Sequence, residues 1–174
     1  FPILDKNNLP VLFAFRRKIK ELNKLKNISN GNSYPFAHFF NGSLIPCSSI
    51  DKIGTIDDRY FIAGEEVDYF NRLSKIGEVR SILSAFHYHP DVSQRPWSKL
   101  KFYYFIKNTI ILNHKTYRSS YFKDIATIII ALLRIASRNG IKAFFSYIIG
   151  RDANVFYQAI IGGYRAKIGK DFDG

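Results

Sequence analysis

Beyond Pro96-Trp97 the chain turns into long apolar stretches set with regularly placed Lys and Arg, and no other feature limits the fold as strongly. Lys99 to Lys115 holds Phe102, Tyr103, Tyr104, Phe105, Ile106, Ile110, Ile111 and Leu112, while Ile125 to Ala136 is apolar except for Thr127 and Arg134. Neither run reaches the ~20 apolar residues a helix needs to cross a bilayer. Two or three helices are predicted over residues 98–174. They are expected to lie in a membrane interface, apolar faces toward the acyl boundary and Lys/Arg toward anionic headgroups. The competing reading is a helical subdomain whose apolar faces pack on the core.

Charge divides along the chain in the same way. Residues 1–30 carry seven Lys/Arg against two acids, residues 31–97 six against eight, and residues 98–174 thirteen against four. An acidic centre between basic, aromatic ends predicts different partners for the two. Cys47 is the one cysteine, which excludes an intramolecular disulfide framework and fits a reducing compartment. The Phe start and the absence of Met fit a processed or truncated start, and no signal peptide is visible.

Local patterning predicts the elements between. Residues 1–30 fit a helix or a surface loop, and Asn27 to Pro35 is turn-rich. Phe36 to Ile45 reads as a short strand or extended segment. Ser48 or Ser49 is expected to cap a short helix that carries Ile50 and Ile53 and stops at Gly54. Tyr60 to Gly64 reads as a strand, Glu65 to Lys75 as a helix, and Glu78 to His89 as a strand ending at Pro90.

Residues capable of chemistry gather in two places: Gly64-Glu65-Glu66-Val67-Asp68-Tyr69, and Ser84-Ala85-Phe86-His87-Tyr88-His89-Pro90. Acids at a helix N-terminus are favoured by its exposed amides, so stability alone is one sufficient explanation of Glu65, Glu66 and Asp68. Alternate residues of a strand share a face, so His87 and His89 fit one metal with a carboxylate completing the site. A hydrogen-bonded core histidine is the plainer alternative for either one.

Taken in order, four segments resemble family 2 glycosyltransferases, the group that holds bacterial rhamnosyl- and galactofuranosyltransferases. They are His38-Phe39-Phe40-Asn41-Gly42-Ser43-Leu44-Ile45, Ile50-Asp51-Lys52-Ile53-Gly54, Arg59-Tyr60-Phe61-Ile62-Ala63-Gly64-Glu65-Glu66-Val67-Asp68-Tyr69, and Ser84 to His89. Tyr103-Tyr104 with Lys107-Asn108 resembles the family's Tyr-Tyr then Arg-Asn helix, and Ile160 to Lys170 its C-terminal ending. The resemblance covers about residues 36–170.

It implies an α/β fold: residues 1–97 as the acceptor-side, C-terminal part of a GT-A (nucleotide-diphospho-sugar transferase) domain, then amphipathic helices over 98–174. It also implies an inverting mechanism in which a carboxylate takes the proton of an acceptor hydroxyl as that oxygen displaces the nucleoside diphosphate. Glu66 matches the base position and Glu65 the acid before it. The family usually has aspartates there, and the extra methylene shifts the reach of each carboxylate. His89 matches the histidine that helps hold Mn2+ or Mg2+, and His87 is a further contact. Asn41, Gly42, Gly64 and Asp68 fall along the acceptor or diphosphate pocket. Trp97 is a sugar platform, an interfacial anchor or a packing residue.

The implied partners are a UDP- or dTDP-sugar donor, a lipid-linked glycan acceptor and an anionic membrane surface. The implied place is the cytoplasmic face of a bacterial inner membrane. The donor-binding strands and their Asp-x-Asp are absent from these residues, and Asp57-Asp58 suits a capping or solvated role instead. Two other classes compete: a basic module binding membrane or nucleic acid, and a zinc hydrolase on His87, His89 and Glu66. The acidic centre would repel phosphates, which disfavours nucleic acid.

Overall fold

The computed structural model describes residues 3–4, 27, 29, 31–34, 42–85, 87–88, 95–117 and 120–174. The chain divides into two compact units, Phe1–Thr55 with Tyr69–Ser93 and Ile56–Asp68 with Gln94–Gly174. Helix α2 (Glu65–Leu73) gives its first turn to the second unit and its remainder to the first.

The first unit is built from short pieces. Strand β1 (Ile3–Leu4) pairs in parallel with β4 (His87–Tyr88), and β2 (Ser33–Tyr34) antiparallel with β3 (Ser81–Ile82). Glu78 to His89 is therefore not one strand. A turn at Leu83-Ser84 interrupts it, held by Leu83 N–H donating to Asn32 O and Asn32 Nδ2 donating to Ser84 Oγ at 2.8 Å. Helix α1 (Cys47–Ile53) forms as expected, but neither serine caps it. Pro46 does, its φ preset at −59° and its carbonyl accepting from Ser49 and Ile50. The helix stops at Gly54, whose φ of +77° suits glycine. Buried Tyr69 and Leu73 of α2 pack with Ile45, Ile53, Phe70 and Val79, and Arg72 donates to Ile53 O and Thr55 O. The expected N-terminal helix or loop and most of the Phe36–Ile45 segment lie outside the described residues; Gly42 to Ile45 form no strand.

The second unit is helical: α3 (Lys99–Thr116), α4 (Tyr121–Asn139), α5 (Ile141–Ile148) and α6 (Ala153–Tyr164). Four helices stand where two or three were expected over 98–174, because Gly140 (φ +89°) breaks the chain after α4. Helix α3 is buried on every side from Phe102 through Asn113, which explains why its sequence shows no polar face. Ser98 caps it, accepting from Lys101 N–H. The side chain of Asn139 both donates to Trp97 O and accepts from Trp97 N–H, joining the end of α4 to the start of α3. Helix α6 crosses α3 at Gly162-Gly163, where a Cβ on Gly163 would lie 2.8 Å from Ile110 Cβ.

The tail is clasped by α3. Lys107, fully buried, donates to Gly169 O (2.8 Å) and Asp171 Oδ1 (2.5 Å). Tyr103 donates to Asp171 Oδ2, and Tyr104 Oη exchanges bonds with the backbone of Asp171 and Phe172. Burial pushes the Lys107 ammonium below the ordinary lysine value, against the pull of Asp171. Burial would raise Asp171, but the hydrogen bond and charge of Lys107, with Tyr103 and Lys167, bring it below the ordinary carboxylate value. The two directions oppose each other; the contact distances are those of an ionised pair at neutral pH.

Truncation of one partner leaves an uncompensated buried charge. Asp171→Ala is expected to cost about 3–5 kcal/mol in urea denaturation, and the double change Lys107→Met with Asp171→Leu should recover most of it. Because the Asp171 value is depressed on folding, its stabilisation is complete above the unfolded carboxylate value of 3.8 and is lost as pH falls through the folded value. Asp171→Asn should flatten stability against pH in that acid window.

Candidate functional site

The acidic turn belongs to the helical unit, and its geometry begins with Tyr60. Its ring is buried among Val67, Ile111, Leu112 and Ile168, which fixes the chain entering the turn. The strand expected over Tyr60 to Gly64 is absent, because α3 takes the carbonyls that a strand partner would have used. Asn108 Nδ2 donates to Phe61 O at 3.2 Å and Ala63 O at 2.6 Å. Ala63 N–H folds back onto Phe61 O at 2.8 Å around Ile62, whose φ is +66°. A β-branched residue in that region is strained, and strain of this kind collects at functional sites.

Gly64 follows at φ +110°, and a Cβ there would meet Tyr60 Cδ1 at 3.1 Å, Asn108 Cβ at 3.2 Å and Leu112 Cδ1 at 3.3 Å. Both the torsion and the space select glycine. Helix α2 starts at once, with Asp68 N–H donating to Gly64 O, and so presents Glu65, Glu66 and Asp68 in its first turn.

The three acids differ. Asp68 is buried and holds Lys115 Nζ at 2.6 Å, so it serves the fold. Glu65 has one buried carboxylate oxygen, Oε2, with no hydrogen-bond partner among the described residues. Burial holds the Glu65 carboxyl above the ordinary glutamate value; its own backbone N–H opposes this, and the charge of Glu66 adds to it. Glu66 is partly buried beside it. Ahead of the turn, Asp57 accepts from the backbone and guanidinium of Arg59, whose hydrogen bond holds Asp57 below the ordinary carboxylate value.

Gly64, Glu65, Glu66 and Asp68 thus share one turn. Trp97 lies in the same unit, 5% exposed and packed against Phe105, which fits the packing role among its three alternatives. Gly42 (φ +103°) and His87, in register with Ile3, belong to the other unit. Asn41 and His89 lie outside the described residues, and so does the shared strand face on which a two-histidine site depends. Among the described residues, no three His, Cys, Asp or Glu side chains gather as a metal-holding group. The motif identified neither Asn108 nor Lys115 as a support of the turn; a polar residue inside an otherwise apolar helical run is the signal that marks Asn108.

Part of this chain has a glycosyltransferase relative. Over 79 residues it is 35% identical to galactofuranosyltransferase GlfT1 of Mycolicibacterium smegmatis. The matched stretch takes in 44% of this chain and 26% of that relative, so the similarity is distant and partial. No family profile and no solved structure matches.

Gly64→Ala combines a strained torsion with contacts the neighbours must yield to, and is expected to cost about 1–3 kcal/mol. Thermal melts should show that loss, whereas Gly77→Ala, with open space around its Cβ position, should stay near wild type. Equal melting of the two variants would remove the case for a constrained turn.

Proposed function

We propose that this chain is the acceptor-side part of an inverting family 2 glycosyltransferase with a GT-A fold, and that the turn Gly64-Glu65-Glu66 carries its base. The observation that supports the proposal best is a pair of adjacent carboxylates on a turn fixed by Asn108 and Gly64. The partial similarity to a galactofuranosyltransferase supports the reaction class.

In the reaction, an acceptor hydroxyl oxygen bonds to the anomeric carbon of the donor sugar while a carboxylate takes its proton. The bond to the nucleoside diphosphate breaks on the opposite face, the electron pair leaves with the diphosphate, and configuration inverts. A fixed base contributes typically ~10²–10⁴-fold. The motif match gives that role to Glu66. A second assignment, to Glu65, draws on its unpartnered oxygen and raised proton affinity, which make a stronger base once ionised.

The cation that the resemblance implies, Mn2+ or Mg2+, would neutralise charge on the leaving diphosphate. Of this chain's residues His89 would help hold it, and the proton transfer above does not depend on where it sits. Donor (a UDP- or dTDP-sugar) and acceptor (a lipid-linked glycan) belong to the same proposal.

The test uses the full-length protein, a panel of UDP- and dTDP-sugars, Mn2+ and lipid-extract acceptors, with nucleoside diphosphate release as readout. Glu66→Gln should lower kcat by about 10²–10⁴-fold with the fold intact and Glu65→Gln by far less. The reverse ranking would move the base to Glu65. In that case the acid limb of the pH–rate profile should lie above 4.5, because the rate falls as pH drops through a raised folded value. Full activity in both variants, or no release with any donor, would sink the proposal.

A further inference from the structure

Helix α4 buries one side and carries apolar residues on the opposite one as well. Asp124, Thr127, Ala131 and Ile135, three and four residues apart, form its buried face. At 100° per residue the opposite side is centred on Phe122, Ile129 and Leu133, and there the side chains stand in solvent: Phe122 is 87% exposed and Leu133 61%, with Ile125 and Ile130 exposed beside them. A surface helix of a globular protein normally carries polar residues on that side. Helix α5 repeats the arrangement after the single residue Gly140. Its Tyr147 is buried, while Ile141 and Phe145, four apart, are exposed, as is Ile149 just past its end, at 79%.

The charges around these faces have one sign. From Tyr121 to Arg151 the ionisable residues other than Tyr are Lys123, Arg134, Arg138, Lys142, Arg151 and Asp124. Asp124 is fully buried, accepting from Asn113 and bonded to His114. Every charge that reaches the surface on this stretch is therefore positive. Among the described residues no helix is long and apolar enough to cross a membrane.

We propose that the outer faces of α4 and α5 lie on an anionic lipid bilayer surface. Phe122, Ile129, Leu133, Ile141, Phe145 and Ile149 enter the acyl boundary, and Lys123 and Lys142 meet the headgroup phosphates. A bilayer of acidic lipids satisfies both halves of the pattern, apolar area and positive charge. A second copy of the chain seated across a two-fold axis would bring like charges together. A nucleic acid would neutralise the lysines and leave the aliphatic faces in water. The proposal stands on exposure and charge alone and does not depend on the transferase assignment.

The test is co-sedimentation of the full-length protein with vesicles of phosphatidylcholine alone or mixed equally with phosphatidylglycerol. Wild type should sediment with the mixed vesicles and much less with phosphatidylcholine. The triple variant Phe122→Glu, Ile129→Glu, Leu133→Glu should bind at least about tenfold more weakly while keeping its melting temperature, since all three positions are exposed. Lys123→Ala with Lys142→Ala keeps the apolar face and should weaken binding about fivefold per lysine, with a shallower salt dependence. Three results would overturn the proposal: sedimentation with neither vesicle, equal binding by wild type and both variants, or a solution dimer that the triple variant dissolves. Binding to phosphatidylcholine alone as tight as to the mixture would overturn its anionic half.

Discussion

Helix α3 is enclosed along twelve consecutive residues, and an enclosed helix cannot leave a polar side chain unanswered without a penalty of several kcal/mol. Three of its polar side chains reach three different parts of the unit, although Asn108 Oδ1 stays buried without a partner among the described residues. Lys107 takes the tail at Gly169 and Asp171, Asn108 takes the carbonyls of Phe61 and Ala63, and Asn113 takes Asp124 of α4. Packing alone would allow the neighbours of α3 to slide, since hydrophobic contact is not directional. These bonds fix their register.

The middle one of the three bears on chemistry. By holding two carbonyls of the loop before α2, Asn108 sets the strained torsion at Ile62 and the glycine-only torsion at Gly64, and so places the first turn of α2. Nearby acids are neutralised structurally, Asp57 by Arg59 and Asp68 by Lys115. Glu65 keeps a desolvated oxygen without a partner among the described residues, an arrangement that costs stability. Proteins retain such groups chiefly where a perturbed carboxyl is useful, so the electrostatics and the strain mark the same turn.

How much of this was legible follows from the range of each interaction. Helices α1, α2, α3 and α4 were readable because apolar spacing and local stop residues decide them within a few positions. The cap of α1 is Pro46 and not the expected serine, because the preset φ of proline supplies the helix start without a side-chain hydrogen bond. Tyr60 to Gly64 looks like a strand by composition, but its conformation is imposed by Asn108, more than forty residues further on. The break between α4 and α5 depends on a positive φ at Gly140, which an exposed glycine in a helical pattern signals only weakly. Of the site, the chain order of the acids was visible; that Asp68 is occupied by Lys115 and Glu65 is not neutralised requires coordinates.

The excess of positive charge in the last third of the chain also resolves once its acids are located. Asp124 is enclosed with Asn113 and His114, Asp152 holds Lys99, Asp171 holds Lys107 and Lys167, and Asp173 holds Lys170. Every acid beyond Trp97 is thus committed to an internal partner. Arg134 and Arg138 lie over the Trp97 ring, with the Arg134 guanidinium also over Phe105, which spreads their charge against aromatic faces instead of neutralising it. Lys123 and Lys142, outside those pairings and exposed, fall on α4 and α5, the same two helices whose apolar residues face outward. A bulk charge cannot distinguish this from an evenly basic coat. The distribution can, and it separates a carboxylate-bearing turn at one part of α3 from a cationic, apolar surface on the helices packed around it.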